Sequence, residues 1–207
     1  MSRPFAVFDL DGTLIRWQLY HAMADELARQ GALDSGQYEA VQMARMNWKN
    51  REHVNSFSDY ENILVKLVDS TVNNLKVSAL VEASQNVIEE YKDQVYTYTR
   101  DLIKELRAKD YLLFAISASP DRIVGLVAKH YCFDDFCGSI YDTEDGLFTG
   151  FTDVILLERK PEKLNELVQK HNATWRGSIA VGDSEGDIPM LEAVEQPIAF
   201  NPNQNAF

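Results

Sequence analysis

The chain has 207 residues, the size of one domain or of one domain with an insertion, and 45% of them are hydrophobic and 11% aromatic, enough for a packed core. Its 20 Lys and Arg stand against 32 Asp and Glu, a net charge of −12 that disfavours nucleic acid or an anionic membrane as partner. An anionic substrate would need a metal ion or a few placed cations.

In chain order, residues 4–10 form a short apolar run with β-branched and aromatic side chains and an Asp at position 9, the pattern of a buried strand. From residue 17 to 95 the period becomes helical: Leu19, Met23 and Leu27, then Ile63, Leu64, Leu67 and Val68, then Leu80, Val81, Val87 and Ile88, with breaks at Gly31, Gly36 and Asn73-Asn74. Three or four helices and no strand are expected there. A helix (100–109), a strand (111–116), a helix (121–131) and a hairpin around Asp145-Gly146 follow. A helix (161–171), a strand (178–181), a helix (184–194), a short strand (197–200) and a polar tail (201–205) complete the chain.

Alternating strands and helices predict an α/β fold, a Rossmann-like parallel sheet with helices on both faces. The core is expected to comprise residues 1–16 and 96–207, with an α-helical cap inserted at 17–95. No run approaches the roughly 18 apolar residues of a membrane span. The N-terminal stretch lacks the cleavage site of a leader, and Cys132 and Cys137 form neither a disulfide framework nor a metal cluster. A cytoplasmic protein is the expectation.

Ligands of such sheets bind beyond the carboxyl ends of the strands, so the polar residues there carry the chemistry. After the first strand comes Asp9-Leu-Asp11-Gly12-Thr13-Leu14, with two carboxylates on a tight turn. After the second comes Ser117-Ala118-Ser119-Pro120, a hydroxyl and backbone N–H groups at a helix start, suited to an anion. Lys160 precedes a helix-starting Pro161, and Gly182-Asp183-Ser-Glu-Gly186-Asp187 supplies two more acids. Each segment alone reads as a helix cap or a surface charge. Together they are the parts for phosphoryl transfer: a carboxylate to attack phosphorus, another to move protons, cations to offset the phosphoryl oxygens.

These segments, with Met190-Leu191 after the last, match in order the motifs of the haloacid dehalogenase-like phosphohydrolases, and the sequence resembles that family over nearly its whole length. Ser117-Ala-Ser-Pro-Asp and Asp145-Gly-x-x-x-Gly150 resemble the phosphoserine-phosphatase-like branch with its helical type 1 cap. The resemblance implies Asp9 as nucleophile and Asp11 as general acid and later base. It implies Ser117, Ala118 and Lys160 around the phosphoryl group, and Mg²⁺ on Asp9, Asp183 and the Asp11 carbonyl. Asp187 would orient Lys160 or a metal water, Asp9 would stay ionised, and Thr13 would brace the turn. The implied activity is a phosphomonoesterase acting on a small metabolite through an aspartyl-phosphate, with a phosphotransferase or a non-catalytic phospho-binding protein as alternatives.

Two departures bear on the substrate. Phosphoserine phosphatases of the family carry a Glu nine residues after the nucleophile, where this chain has Gln18, and an Asn where it has Gly186. Phosphoserine is therefore not the expected substrate, unless another cap acid such as Glu26 or Glu61 replaces the missing charge. Trp17, Gln18, Tyr20, His21, Arg45, Trp48, Arg51 and Tyr60 are candidates for the leaving-group pocket, with helical core as the competing reading of the aromatic ones.

Overall fold

Phe5, Ala6, Val7 and Phe8 retain no exposed surface, so the N-terminal apolar run forms a strand covered on both sides, β1 (Pro4–Phe8). The computed structural model describes residues 2–73, 75–153 and 159–202. After β1 come α1 (Leu19–Arg29), α2 (Ser35–Lys49), α3 (Ser56–Val72), α4 (Val77–Tyr91) and α5 (Thr97–Ala108). Then follow β2 (Leu112–Pro120), α6 (Asp121–His130), β3 (Asp135–Glu144), β4 (Leu147–Asp153), α7 (Lys160–Lys170), β5 (Thr174–Gly182), α8 (Ile188–Glu192) and β6 (Gln196–Ala199). Most of the expected tail (203–205) lies outside the described residues.

The strands lie in the order β4-β3-β2-β1-β5-β6. Val7 stands opposite Phe114 of β2 and Ala180 of β5, both pairings parallel, as are β2 with β3 and β5 with β6. The chain winds outward from β1 to β4 and then returns to lay down β5 and β6 on the other side. The ends of β1 and β5 therefore flank the point where the winding reverses, where such sheets bind ligands.

Strand alternation assigns the faces. Phe5, Val7, Leu112, Phe114, Ile116 and Ala180 form one apolar cluster with Leu164, Leu167 and Val168 of α7 and Met190 and Leu191 of α8. Helices α5 and α6 pack on β2 and bury Ile103, Leu106, Ile123, Val124 and Val127 outside that cluster, covering the other face. Each large side chain buried this way contributes about 1.5–3 kcal/mol, so Phe114→Ala, at a position with no exposure, would cost about 3–5 kcal/mol.

The chain forms two compact units, Met1–Leu19 with Ile88–Ile140 and Asp153–Phe207, and Tyr20–Val87 with Tyr141–Thr152. This differs from a cap of 17–95, because the β3–β4 hairpin belongs with the helices. Its turn has positive φ at Asp145 (50°) and Gly146 (80°), the two-residue geometry that Asp-Gly favours. Beside it, Val77 N–H donates to the Gly146 carbonyl (3.0 Å) and Phe148 N–H to the Leu75 carbonyl (2.9 Å), so the link between α3 and α4 pairs with the hairpin.

The expected helix 184–194 is instead a 3₁₀ turn (Glu185–Asp187) followed by the short α8. Ser184 and Asp187 cap each other reciprocally, and Pro189 opens α8, which ends one element and begins the next.

Candidate active site

The site is built within the first unit from four segments that follow the sheet. Asp9, just past β1, donates its N–H to the Val181 carbonyl (2.9 Å), which holds the chain against β5 as it turns. Leu14 and Ile15 donate to the Leu10 carbonyl at 3.0 and 2.8 Å and close the turn. Gly12 sits at φ 84°, and a Cβ there would run into the Asp183 carboxylate, so glycine is required on two counts.

Asp9, 5% exposed, accepts from Lys160 Nζ at 2.7 Å through Oδ1. The same ammonium donates to Asp187 Oδ1 at 2.5 Å. Asp187 Oδ2 accepts the N–H groups of Asp183 (3.1 Å) and Ser184 (3.0 Å) and the Ser184 hydroxyl (2.9 Å). Asp187 thus orients Lys160 while fixing the loop that carries Asp183.

Asp11 Oδ1 accepts the Leu19 N–H at 2.5 Å, and its Oδ2 accepts the hydroxyls of Ser117 (2.7 Å) and Ser119 (3.0 Å). The Thr13 hydroxyl donates to Asp183 Oδ1 (2.9 Å), and the Thr13 carbonyl accepts from the Thr99 hydroxyl (2.9 Å). Both bonds hold the turn, beside the backbone bonds to Leu10.

Burial pushes the Asp9 carboxyl well above the ordinary carboxylate range; Lys160 opposes the shift, and Asp187, Asp11 and Asp183 add to it. The expectation of an ionised Asp9 therefore depends on further positive charge beyond Lys160. Burial lifts Asp183 to about 6, with the Thr13 hydroxyl pulling downward. Burial also raises Asp11, against the hydrogen bonds from Ser117, Leu19 and Ser119. Burial acts to discharge Lys160, but Asp9 and Asp187 outweigh it and keep the ammonium protonated.

Four carboxylates thus face one ammonium, and oxygens of Asp9, Asp183 and Asp187 lie within 4.8 Å of one another. That surplus of negative charge and that all-oxygen donor set fit a hard divalent cation such as Mg²⁺. Asp9 and Asp183 suit direct ligation, since both Asp187 oxygens already hold Lys160 and the loop.

The remaining candidates divide. Ala118 is exposed, and its carbonyl accepts the Ser139 hydroxyl (2.7 Å); Gln18 is half-buried just before α1. In the helical unit, His21, Arg45 and Trp48 pack around Tyr60. Arg45 grips Asp25 with both terminal nitrogens (2.8 and 2.5 Å) and donates Nε–H to the Tyr60 oxygen (3.0 Å). The Tyr60 ring stacks on Trp48 (5.7 Å) and meets the His21 ring edgewise (5.0 Å). Tyr60 is fully buried and His21 2% exposed. Tyr20 is half-buried and Arg51 exposed. Sequence reasoning assigned no role to Ser119 or Thr99; the Ser-x-Ser alternation of β2, which puts two hydroxyls on one face, was the available signal for Ser119.

Fold and cluster together give a mostly parallel sheet whose carboxylates converge beyond its strand ends. The chain belongs to the haloacid dehalogenase-like hydrolases, whose sequence profile matches residues 6–192. It is 26% identical over 204 residues to a phosphoserine phosphatase of Mycobacterium tuberculosis, covering 97% of this chain and 44% of that protein. It is 26% identical over 209 residues to the histidinol-phosphatase of Neisseria meningitidis serogroup C, covering 97% of this chain and 91% of that protein. A phosphoserine phosphatase solved as an analogue of its phospho-aspartyl intermediate has the same fold, with a TM-score of 0.65 at 21% identity over 98% of this chain and 88% of that one.

Proposed function

We propose that the chain is a Mg²⁺-dependent phosphomonoesterase that hydrolyses a small phosphorylated metabolite in the cytoplasm through an aspartyl-phosphate on Asp9. The observation that carries this reading is the division of labour between two aspartates two residues apart. Asp9 is held by an ammonium, whereas Asp11 is held by two hydroxyls and an N–H.

In the first half-reaction an Asp9 oxygen attacks phosphorus, the ester P–O bond breaks, and Asp11 delivers its proton to the departing alkoxide. In the second, Asp11 takes a proton from water as the water oxygen attacks phosphorus, and the bond to Asp9 breaks. Lys160 and Ser117 hold phosphoryl oxygens, and Asp187 keeps the ammonium aimed. Mg²⁺ on Asp9 and Asp183 would neutralise phosphoryl charge that otherwise repels the attacking carboxylate.

The relatives named above act on phosphates of two small amino alcohols, serine and histidinol. Gln18 argues against phosphoserine: a neutral amide lacks the charge-assisted hydrogen bond that Glu gives an ammonium, worth about 1.5–3 kcal/mol, or roughly 10- to 100-fold in discrimination. Glu26 does not replace it, being committed to Arg29 (2.7 Å), Gln30 (3.0 Å) and Asn86 (2.6 Å).

The test is kcat/KM across sugar, polyol, amino-alcohol and nucleotide phosphates, with and without EDTA. Turnover lost in EDTA and restored by Mg²⁺ is expected, with L-phosphoserine not leading. A tenfold lead for phosphoserine would refute the Gln18 argument. Phosphate passed to an added alcohol in preference to water would favour the phosphotransferase alternative, and binding without turnover the non-catalytic one.

A further inference from the structure

Ser117 and Ser119 are two positions apart on β2, 0% and 2% exposed, and both donate their hydroxyl protons to the same oxygen of Asp11. Ser119 also donates its N–H to Ser117 Oγ at 3.0 Å. A hydroxyl has one proton to give. In the phosphatase reading, on which this inference rests, Ser117 donates that proton to a phosphoryl oxygen, and it cannot then also donate it to Asp11. Binding the phosphoryl group therefore takes one donor away from Asp11 when that carboxylate has to be aimed at the leaving oxygen.

We infer that Ser119 is a positioning residue for Asp11, keeping its hydroxyl on Oδ2 while Ser117 turns to the phosphoryl group. With Ser119 at 3.0 Å on Oδ2 and the Leu19 N–H at 2.5 Å on Oδ1, each carboxylate oxygen keeps one donor. Two donors on opposite oxygens fix the plane of a group whose terminal torsion is otherwise broad. Without Ser119 the Leu19 N–H alone would remain, and the carboxylate would be free to swing about that bond. The Ser119 N–H stays on Ser117 Oγ through its lone pair, so the Ser117 proton can rotate from Asp11 to substrate without moving the oxygen.

The backbone around Ser119 is anchored for this task. Pro120 follows it with φ −52° and stands opposite Ser139 of β3, whose hydroxyl donates to the Ala118 carbonyl at 2.7 Å.

The experiment compares kcat/KM of wild type, Ser119→Ala and Ser119→Thr on two esters: the best alkyl phosphate of the panel, whose leaving group must be protonated, and p-nitrophenyl phosphate, which departs with little help. Ser119→Ala is expected to lose about 10- to 100-fold on the alkyl ester, a part of the 10²- to 10⁴-fold that a positioned proton donor contributes. On p-nitrophenyl phosphate it should stay within about threefold of wild type, and Ser119→Thr should recover most of the alkyl activity. A merely structural role would depress both esters alike; that result, or no loss on either, overturns the inference. A structure of the wild-type enzyme with Mg²⁺ and beryllofluoride gives a second test that needs no variant. Ser117 Oγ should lie on a fluorine with Ser119 Oγ still on Asp11, and a Ser119 turned away overturns the inference. A wild type that hydrolysed neither ester would bring down the phosphatase reading and this inference together, whereas normal wild-type turnover with an indifferent Ser119→Ala removes Ser119 alone.

Discussion

Thr13 donates its hydroxyl to Asp183 across 2.9 Å, tying the turn after β1 to the loop after β5. This bond aims one of the two carboxylates suited to the cation. Thr13→Val keeps the shape and removes the proton, so Mg²⁺ should bind about tenfold more weakly, at the low end of what outer partners of metal ligands contribute. Titration calorimetry with Mg²⁺ reads this independently of turnover, and an unchanged affinity would show that the bond does not position Asp183.

Asp9→Asn should abolish hydrolysis, because an amide is a poor nucleophile and a poor ligand. Asp11→Asn should slow both half-reactions, by about 10²- to 10⁴-fold where proton transfer limits the rate. With p-nitrophenyl phosphate the second half-reaction alone should suffer, so labelled phosphate should accumulate on Asp9 in the Asp11 variant. Full activity in either variant would displace that residue from its role.

Lys160 is 5% exposed and satisfies two buried carboxylates, so Lys160→Met should remove activity and cost stability. Losing one partner from a buried ion pair typically costs about 3–5 kcal/mol. Adding Asp187→Asn should restore part of the stability and none of the activity. Urea unfolding in EDTA beside the assay separates the two effects; a Lys160→Met protein as stable as wild type would mean that the carboxylates find other partners.

His21 bears on the acid limb of stability. Burial, with the Arg45 charge on α2 adding to it and Asp25 on α1 opposing, lowers its pKa from 6.5 to about 4, and the Tyr60 ring of α3 covers it. Between those values the unfolded chain binds the proton and the folded chain does not, so stability rises with pH there. The contribution is complete above about pH 6.5 and lost as pH falls toward 4. Its size is at most about 3–4 kcal/mol, at 1.36 kcal/mol per unit. His21→Phe should flatten the dependence of unfolding free energy on pH in that window, and an unaltered slope would assign the acid sensitivity elsewhere.

Arg45→Met should destabilise the helical unit by about 1.5–3 kcal/mol, the range for hydrogen bonds to a charged group. It should leave the ranking of phosphate esters unchanged, because Arg45 is spent on Asp25 and Tyr60. A change in ranking without a change in stability would return Arg45 to the substrate pocket.

What could be read without coordinates was whatever local chemistry decides. The apolar run before Asp9, the glycine that lets Asp9 and Asp11 share a turn, Pro161 after Lys160 and the Asp145-Gly146 hairpin depend on neighbours a few residues away. Period and turn propensity report such neighbours directly, and the α/β order of elements follows from them. Contacts across the chain were decided only by the tertiary structure. Ser119 meets Asp11 at a separation of 108 residues and Thr13 meets Asp183 at 170, and no local pattern encodes either pairing. The hairpin joins the helices because backbone groups near Leu75 and Val77 take its hydrogen bonds. Helical spacing left core as one reading of Trp48 and Tyr60, but spacing cannot name a partner. Asp25 and His21 supply it from another helix, Asp25 to Arg45 and His21 to the Tyr60 ring.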